Sequence, residues 1–266
     1  GHHLVGVAVH EQNRRRREDM SRGISPAQHE STRAEFLGDL QLLDLPAPAE
    51  VTGRALPALV SIASGEGLEA YFQAWGVEVV PGGQTLNPST QEILEAIERA
   101  ATRGGEVLVL PNNSNCTAAA MQAARLAGGA VQVLDTRCPS QAVALLSQEG
   151  AGLPLHERLE TLCHGEVTRA VKEARLQGWE IRAGDYLALW EDRLVGVEST
   201  FSGAVLGLMQ SPPRPTFSRV VLVAGAESEP DEVEALLMEL ARRHPAARVE
   251  FLWGGQPHHP ALISLE

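Results

Sequence analysis

The chain has 266 residues, with 22 Lys or Arg against 34 Asp or Glu, and therefore a formal net charge of −12 at pH 7. Hydrophobic residues make up 44% of it, which excludes a disordered chain and allows a core without metal or disulfide staples. The acidic balance argues against nucleic-acid binding as the main role. The 3 cysteines form no C-x-x-C pair, and no apolar run is long enough to span a membrane, so a reduced cytoplasmic protein is expected.

Residues 1–57 are predicted to be a remnant of a preceding domain followed by a linker. A helix is expected over residues 25–45, because its leucines and one phenylalanine recur on a single stripe. Three prolines fall within residues 45–57 and break regular structure there, so this stretch is the expected linker.

Residues 58–149 are predicted to form an α/β lobe, because short apolar runs alternate with amphipathic helical patterns. Strands are expected at 58–63, 77–80, 107–110 and 131–134, and helices at 68–75, 88–102, 116–126 and 141–148. Strand–helix repeats of this length build a parallel sheet with right-handed crossovers. The fold class is therefore α/β, with an open and mainly parallel sheet in this lobe.

Residues 150–266 are predicted to form a second, smaller α+β lobe, because the alternation changes after a Gly-rich joint at 150–154. Strands are expected at 165–173, 186–190, 193–198, 220–223, 248–253 and 262–265, and an amphipathic helix at 231–243. The runs at 186–190 and 193–198 are close enough to form a hairpin.

Three loops rich in small polar residues directly follow the first three strands of the α/β lobe. Their candidate binding residues are Ser64, Gly65 and Glu66; Gly82, Gly83, Gln84, Thr85, Asn87 and Ser89; and Asn112, Asn113 and Asn115. Ligands of open α/β sheets bind beyond the carboxyl ends of the strands, where free amides at helix starts suit phosphate or carboxylate. The alternative is that Asn87, Ser89 or Asn115 only caps a helix.

The same loops are poorly equipped for catalysis. Glu66 is the ionisable side chain within them, and asparagine amides supply neither a base nor a nucleophile. Asp135 and Arg137, after the fourth strand, could add charges to this edge, although a surface ion pair is the alternative. Cys163 and His164 are neighbours on a predicted strand and point to opposite faces, so they are not expected to act as a pair. No metal site is predicted.

Six short motifs occur in a fixed order along residues 58–266. They are ASGEGL at 63–68, GGQTLNPST at 82–90, LPNNSN at 110–115, GEVT at 165–168, GDY at 184–186 and GGQP at 254–257. Together they resemble the C-terminal region of the dihydroxyacetone-kinase-like (YloV-type) fusion proteins, a family that includes the kinase subunit of bacterial fatty acid kinase. That region is related in fold to the DegV-type fatty-acid-binding proteins, so the resemblance implies a DegV-like lobe here.

The resemblance also implies a function. Full-length members carry an N-terminal nucleotide-binding domain whose aspartates hold magnesium and ATP. No such segment precedes residue 58 here, so this chain is expected to be a non-nucleotide-binding portion that is inactive alone and holds no cofactor. It would dock a DegV-type fatty-acid-binding partner for acyl phosphate formation in phospholipid metabolism, with homodimer formation left open. The alternatives are a module that binds a small phosphate or carboxylate and, less favoured, an enzyme that uses Glu66 or His164.

Overall fold

A computed structural model describes residues 40–42, 57–82, 86–147 and 154–266 of the chain. Most of the predicted remnant and linker, the loop residues 83–85 and most of the predicted joint therefore lie outside the described residues. The described part contains a four-stranded sheet, a seven-stranded sheet and a two-stranded hairpin. Its first strand is β1 (Leu40–Leu42).

The first lobe is a parallel α/β unit, as predicted. Its elements are β2 (Ala58–Ala63), α1 (Glu66–Ala74), β3 (Glu78–Pro81), α2 (Thr90–Ala101), β4 (Val107–Leu110), α3 (Ser114–Ala127) and β5 (Val131–Val133). The strand order is β3-β2-β4-β5, and every neighbouring pair is parallel. All four residues of β4 are buried, as expected for a parallel strand covered on both faces.

The second lobe is built on a mixed sheet. Helix α4 (Pro139–Ser147), the last element of the first lobe, leads into it. The elements that follow are α5 (Leu155–Leu159), β6 (Cys163–Arg169), β7 (Ala174–Leu176), β8 (Trp179–Ile181), β9 (Tyr186–Trp190), β10 (Arg193–Glu198), α6 (Phe201–Leu208), β11 (Arg219–Ala224), α7 (Pro230–Arg243), β12 (Arg248–Trp253) and β13 (Ala261–Leu265). The order is β1-β12-β11-β13-β6-β9-β10, with β1, β12 and β11 parallel and the remaining pairs antiparallel. The fold class is confirmed, although the lobe expected to be smaller carries the larger sheet.

One hydrophobic core joins the two lobes. Helix α1 contributes the buried residues Leu68, Tyr71 and Phe72 to the same cluster that contains Val223 and Leu262 of the large sheet. Helix α4 also packs against β11, β13 and β6 of that sheet. Helices α6 and α7 contribute to a separate core that includes residues from β6, β9 and β11 to β13 of the large sheet. The elements that flank the candidate loops are therefore held by packing from both lobes.

Three parts of the secondary structure differ from the prediction. The helix expected over residues 25–45 is wrong at residues 40–42, where β1 pairs in parallel with β12. The strand expected at 165–173 ends at Arg169, and the chain then forms the β7–β8 hairpin. Helices α5 and α6 are absent from the prediction. Among the described residues, none of the helices is both long and apolar enough to cross a membrane.

Candidate binding cavity

A cavity of about 340 Å³ lies where the carboxyl edge of the first sheet meets the second lobe. This volume is within the range of small-molecule sites. We call it the interlobe cavity, and its polar wall consists of Ser64, Asn112, Asn113, Ser114, Asn115, Arg137, Glu166, Asp192, Gln256 and His259. The predicted edge of the first sheet thus forms one side of the cavity, and residues of the second lobe form the other side.

The candidate residues divide into three groups. Those that line the interlobe cavity are Ser64, Gly82, Asn112, Asn113 and Asn115. Those that are described but do not line it are Gly65, Glu66, Asn87 and Ser89. The remaining three, Gly83, Gln84 and Thr85, lie outside the described residues. Neither Glu66, which is exposed, nor His164 belongs to the cavity wall.

The first loop makes a contact between the lobes. The backbone amides of Gly67 and Leu68, at the start of α1, both donate to the carbonyl of Gly254 at 3.0 Å. Gly65 has φ 114°, and a Cβ atom there would lie 2.5 Å from the same carbonyl oxygen. These two helix-start amides are used by the protein itself, so an anion would not find them free.

Two of the predicted loop residues cap helices. Ser89 Oγ accepts from the Glu92 backbone amide at 3.2 Å, while the Ser89 amide donates to Glu92 Oε2 at 2.7 Å, which completes a capping box at the start of α2. The bond from the Ser89 backbone amide lowers the pKa of Glu92. Asn113 Oδ1 accepts from the Asn115 amide at 2.9 Å and caps α3. The capping alternative therefore holds for Ser89, whereas the cap of α3 is Asn113 and not Asn115.

Asn112 is a buried residue of the cavity wall that is held by several hydrogen bonds. It is 4% exposed and has φ 56°, a left-handed conformation that asparagine adopts more readily than most residues. Its Nδ2 group donates to Ser61 Oγ at 2.8 Å and to the Ile62 carbonyl at 2.9 Å, and its backbone amide donates to Thr136 Oγ1 at 3.1 Å. Its Oδ1 atom has no hydrogen-bond partner among the described residues.

The charged groups of the cavity come mostly from the second lobe. Glu166 lies on β6, and its Oε2 atom is 3.5 Å from His259 Nε2. Asp192 lies in the turn between β9 and β10 and is exposed. Arg137 donates from Nε and Nη2 to Asp135 Oδ2, at 3.2 and 3.1 Å, so the two form the surface ion pair considered as the alternative for them. The described residues contain no group of three or more His, Cys, Asp or Glu side chains arranged to hold a metal ion.

Sequence reasoning missed the wall residues of the second lobe. Glu166 and Gln256 stand within the GEVT and GGQP motifs, but no local pattern indicates that they reach the first lobe's edge. Strand pairing between β6 and β13 and the docking of Gly254 on α1 bring them there. Cys138 also lines the cavity, and burial raises the pKa of its thiol to about 12, so it is not a nucleophile near neutral pH.

Relatives of this chain are longer proteins. An uncharacterized protein of Staphylococcus haemolyticus is 30% identical over 217 residues, which cover 79% of this chain and 39% of that protein. Uncharacterized proteins of Staphylococcus epidermidis and Staphylococcus aureus are 28% and 27% identical over the same shares. The chain therefore spans about two fifths of the length of the curated relatives that it matches.

Two solved structures with a similar fold are those of fatty-acid-binding proteins. A DegV family protein from Thermus thermophilus superposes with a TM-score of 0.55 at 15% identity, covering 79% of this chain and 99% of that one. A stearic-acid-binding protein from Eubacterium ventriosum gives 0.54 at 12% identity, covering 79% and 98%. At such low identity the likeness shows the fold alone, which is DegV-like.

The family itself is shown by a match that includes both lobes. It extends over residues 58–266 and includes every described element from β2 to β13. The matching model describes the C-terminal region of FakA-like fatty acid kinase subunits, and the chain belongs to that family.

Proposed function

We propose that this chain is the docking region of a fatty acid kinase subunit, which binds a DegV-type fatty-acid-binding protein for acyl phosphate formation. The observation that carries the proposal is the continuous family match over residues 58–266. Under this proposal ATP and magnesium bind outside the chain, and the chain alone transfers no phosphate.

The packing between the lobes supports docking rather than storage of an acyl chain. Leu68, Tyr71 and Phe72 of α1 occupy the interlobe core, and each is at most 1% exposed. Outside the interlobe cavity, whose wall is largely polar, a long acyl tail placed between the described elements would have to displace buried side chains such as these, since protein interiors are close-packed. In our proposal the partner therefore holds the acyl chain, and this chain recognises the loaded partner.

Calorimetry tests this proposal directly. The chain would be titrated with the DegV-type protein of the same organism and, separately, with ATP and magnesium. We expect partner binding and no heat from nucleotide. Nucleotide binding in the absence of the partner would contradict the proposal.

A pair of exposed amides on one helix tests whether the cavity edge takes part in docking. Asn115 lies at the start of α3 and lines the interlobe cavity, whereas Gln122 is an exposed residue further along the same helix. We expect Asn115→Ala to weaken partner binding about tenfold, or about 1.4 kcal/mol. Gln122→Ala serves as the matched control and should leave binding unchanged. Equal effects of the two variants would place docking elsewhere on the chain.

A further inference from the structure

We infer that the interlobe cavity binds a cationic, hydrogen-bond-donating group, a guanidinium or a primary ammonium. The amide-rich loops alone predict the opposite, a phosphate or a carboxylate. The second lobe reverses that expectation, because it adds the carboxylates of Glu166 and Asp192 to the cavity wall. The inference does not rest on the proposed docking role, because its first test uses the chain alone, and a docked partner is only one of the two sources of the cation considered below.

The charge balance of the cavity favours a cation. Both Nε and Nη2 of Arg137 donate to Asp135 Oδ2, so a carboxylate already compensates this guanidinium. Glu166 faces His259 at 3.5 Å, and a protonated His259 would offset only one of the two wall carboxylates. At least one negative charge therefore remains on the cavity wall, where it attracts a cation.

The hydrogen-bonding groups of the wall point the same way. Asn112 is 4% exposed, and its Oδ1 acceptor has no partner among the described residues, whereas its donor atoms are all used. The amides of Gly67 and Leu68, at the start of α1, are bonded to Gly254 and are not free for an anion. Guanidinium and ammonium groups only donate hydrogen bonds, so they match a wall that offers acceptors.

The size of the cavity limits the ligand to a small group. At a share of about 30 Å³ for each water, the volume corresponds to roughly ten waters. A guanidinium or ammonium on a short aliphatic stem fits that space. Such a group is carried by a free small cation or by an arginine or lysine side chain of a docked protein.

Agmatine, which carries one guanidinium and one ammonium and no carboxylate, is the probe. We expect calorimetry at low ionic strength to detect binding of agmatine to the chain. Glu166→Gln and Asp192→Asn should each weaken it at least about fivefold, because each removes a charge while retaining the size of the side chain. Glu180→Gln is the control, since Glu180 lies on the β7–β8 hairpin with 83% of its side chain exposed. Unchanged thermal unfolding would verify that the variants fold.

Inorganic phosphate and Arg137→Ala provide the opposing test. We expect no phosphate binding, and agmatine binding to Arg137→Ala that is equal or tighter. The inference is overturned if agmatine does not bind, or if phosphate binds and Arg137→Ala abolishes that binding. Adding the DegV-type protein distinguishes the two sources of the cation. If the partner displaces agmatine, the cation is a side chain of that partner. If agmatine binding is unaltered, the cation is a free small molecule.

Discussion

Arg219 and Glu250 form a buried ion pair on neighbouring strands, β11 and β12. Arg219 Nη2 lies 2.6 Å from Glu250 Oε2, and the Glu250 side chain is 1% exposed. Arg219 Nη1 also donates to the Ala144 carbonyl and to Glu266 Oε2, both at 3.0 Å. The guanidinium thus connects the large sheet to helix α4, and its loss would leave a carboxylate in the interior.

We expect Arg219→Ala to lower the free energy of unfolding by about 3 kcal/mol, because the buried Glu250 carboxylate loses its guanidinium partner at 2.6 Å and keeps only the more exposed Arg248, whose Nε lies 3.2 Å from Glu250 Oε1. Urea denaturation followed by circular dichroism measures the change. Arg242→Ala is the control: Arg242 pairs with Glu239 at 2.7 Å, but 60% of its side chain is exposed, so no measurable change is expected. Equal losses in the two variants would contradict the role given to burial.

His164 gives the stability of the fold a dependence on pH. Burial lowers its pKa below the ordinary value of 6.5, although the carboxylates of Asp192, Glu191 and Glu166 act in the opposite direction and Arg137 adds to the lowering. As the pH falls, the unfolded chain therefore takes up a proton on His164 at a higher pH than the folded chain does. The stability contributed by neutral His164 is complete above 6.5 and is lost as the pH falls from there toward the lowered pKa.

We expect the urea midpoint to be lower at acidic pH than at neutral pH, with part of this difference abolished in His164→Gln. His156→Gln is the control, because 64% of that side chain is exposed. A pH dependence in His164→Gln identical to that of the unaltered chain would show that other groups produce it.

At the scale of elements, the start of α1 is fixed by the absence of a side chain at Gly67. A Cβ atom there would lie 1.8 Å from the Trp253 carbonyl oxygen, and backbone atoms cannot move aside as the end of a side chain can. In α6, a Cβ atom at Gly207 would meet nothing closer than Glu198 Oε1 at 3.8 Å. Two helical glycines therefore differ in whether the fold admits a methyl group.

We expect Gly207→Ala to raise the free energy of unfolding by about 0.5–1 kcal/mol, the usual gain from alanine in a helix. Gly67→Ala should lower it by more than that gain, because the contact between α1 and the Gly254 turn must open. Thermal unfolding of both variants gives the sign of each change in stability. A higher free energy of unfolding in both variants would mean that α1 and the Gly254 turn can move apart slightly without loss of stability.

The elements that the sequence predicts well are those stabilised by local patterns. Strands β2, β4, β9 and β12 have their predicted bounds, because each is a short apolar or alternating run between turn residues. The sequence predicts a helix at β1, since its leucines also fit a helical stripe and its partner is β12, about two hundred residues away. Pairing with a distant strand decides the conformation there, and local periodicity cannot report it.

The sequence predicts only the part of the candidate site that the first sheet provides. The position of Asn112 after a buried strand indicates the edge of the first sheet, and the residue does line the interlobe cavity. Glu166, Asp192 and His259 arrive from separate segments of the second lobe, and no local pattern in the sequence joins them. The charge of the site depends on these three residues, so its inferred preference for a cation follows only from the structure.

At the scale of the molecule, the three cysteines lie in three different hydrophobic clusters of the core. Cys116 belongs to the cluster within the first lobe, Cys138 to the cluster that joins the lobes, and Cys163 to the cluster between the large sheet and α6 and α7. All three are buried. Because the joining cluster draws residues from both lobes, separate unfolding would expose apolar surface on each.

We expect the three thiols to become reactive toward a maleimide at the same urea concentration, as one cooperative transition. Mass spectrometry of labelled peptides measures each site, and circular dichroism gives the midpoint for comparison. Labelling of Cys116 at a lower urea concentration than Cys163 would mean that the first lobe unfolds on its own.

The position of β13 has a consequence for how the protein is made. This strand, Ala261–Leu265, lies between β11 and β6 and is buried along its whole length. Both neighbours leave the ribosome earlier, and at roughly 5–20 residues per second several seconds pass before β13 follows β11. Throughout that interval two apolar strand edges are unpaired and open to association with other nascent chains. Synthesis of this fold in the cell should therefore depend on chaperones that bind those edges until residue 265 has emerged.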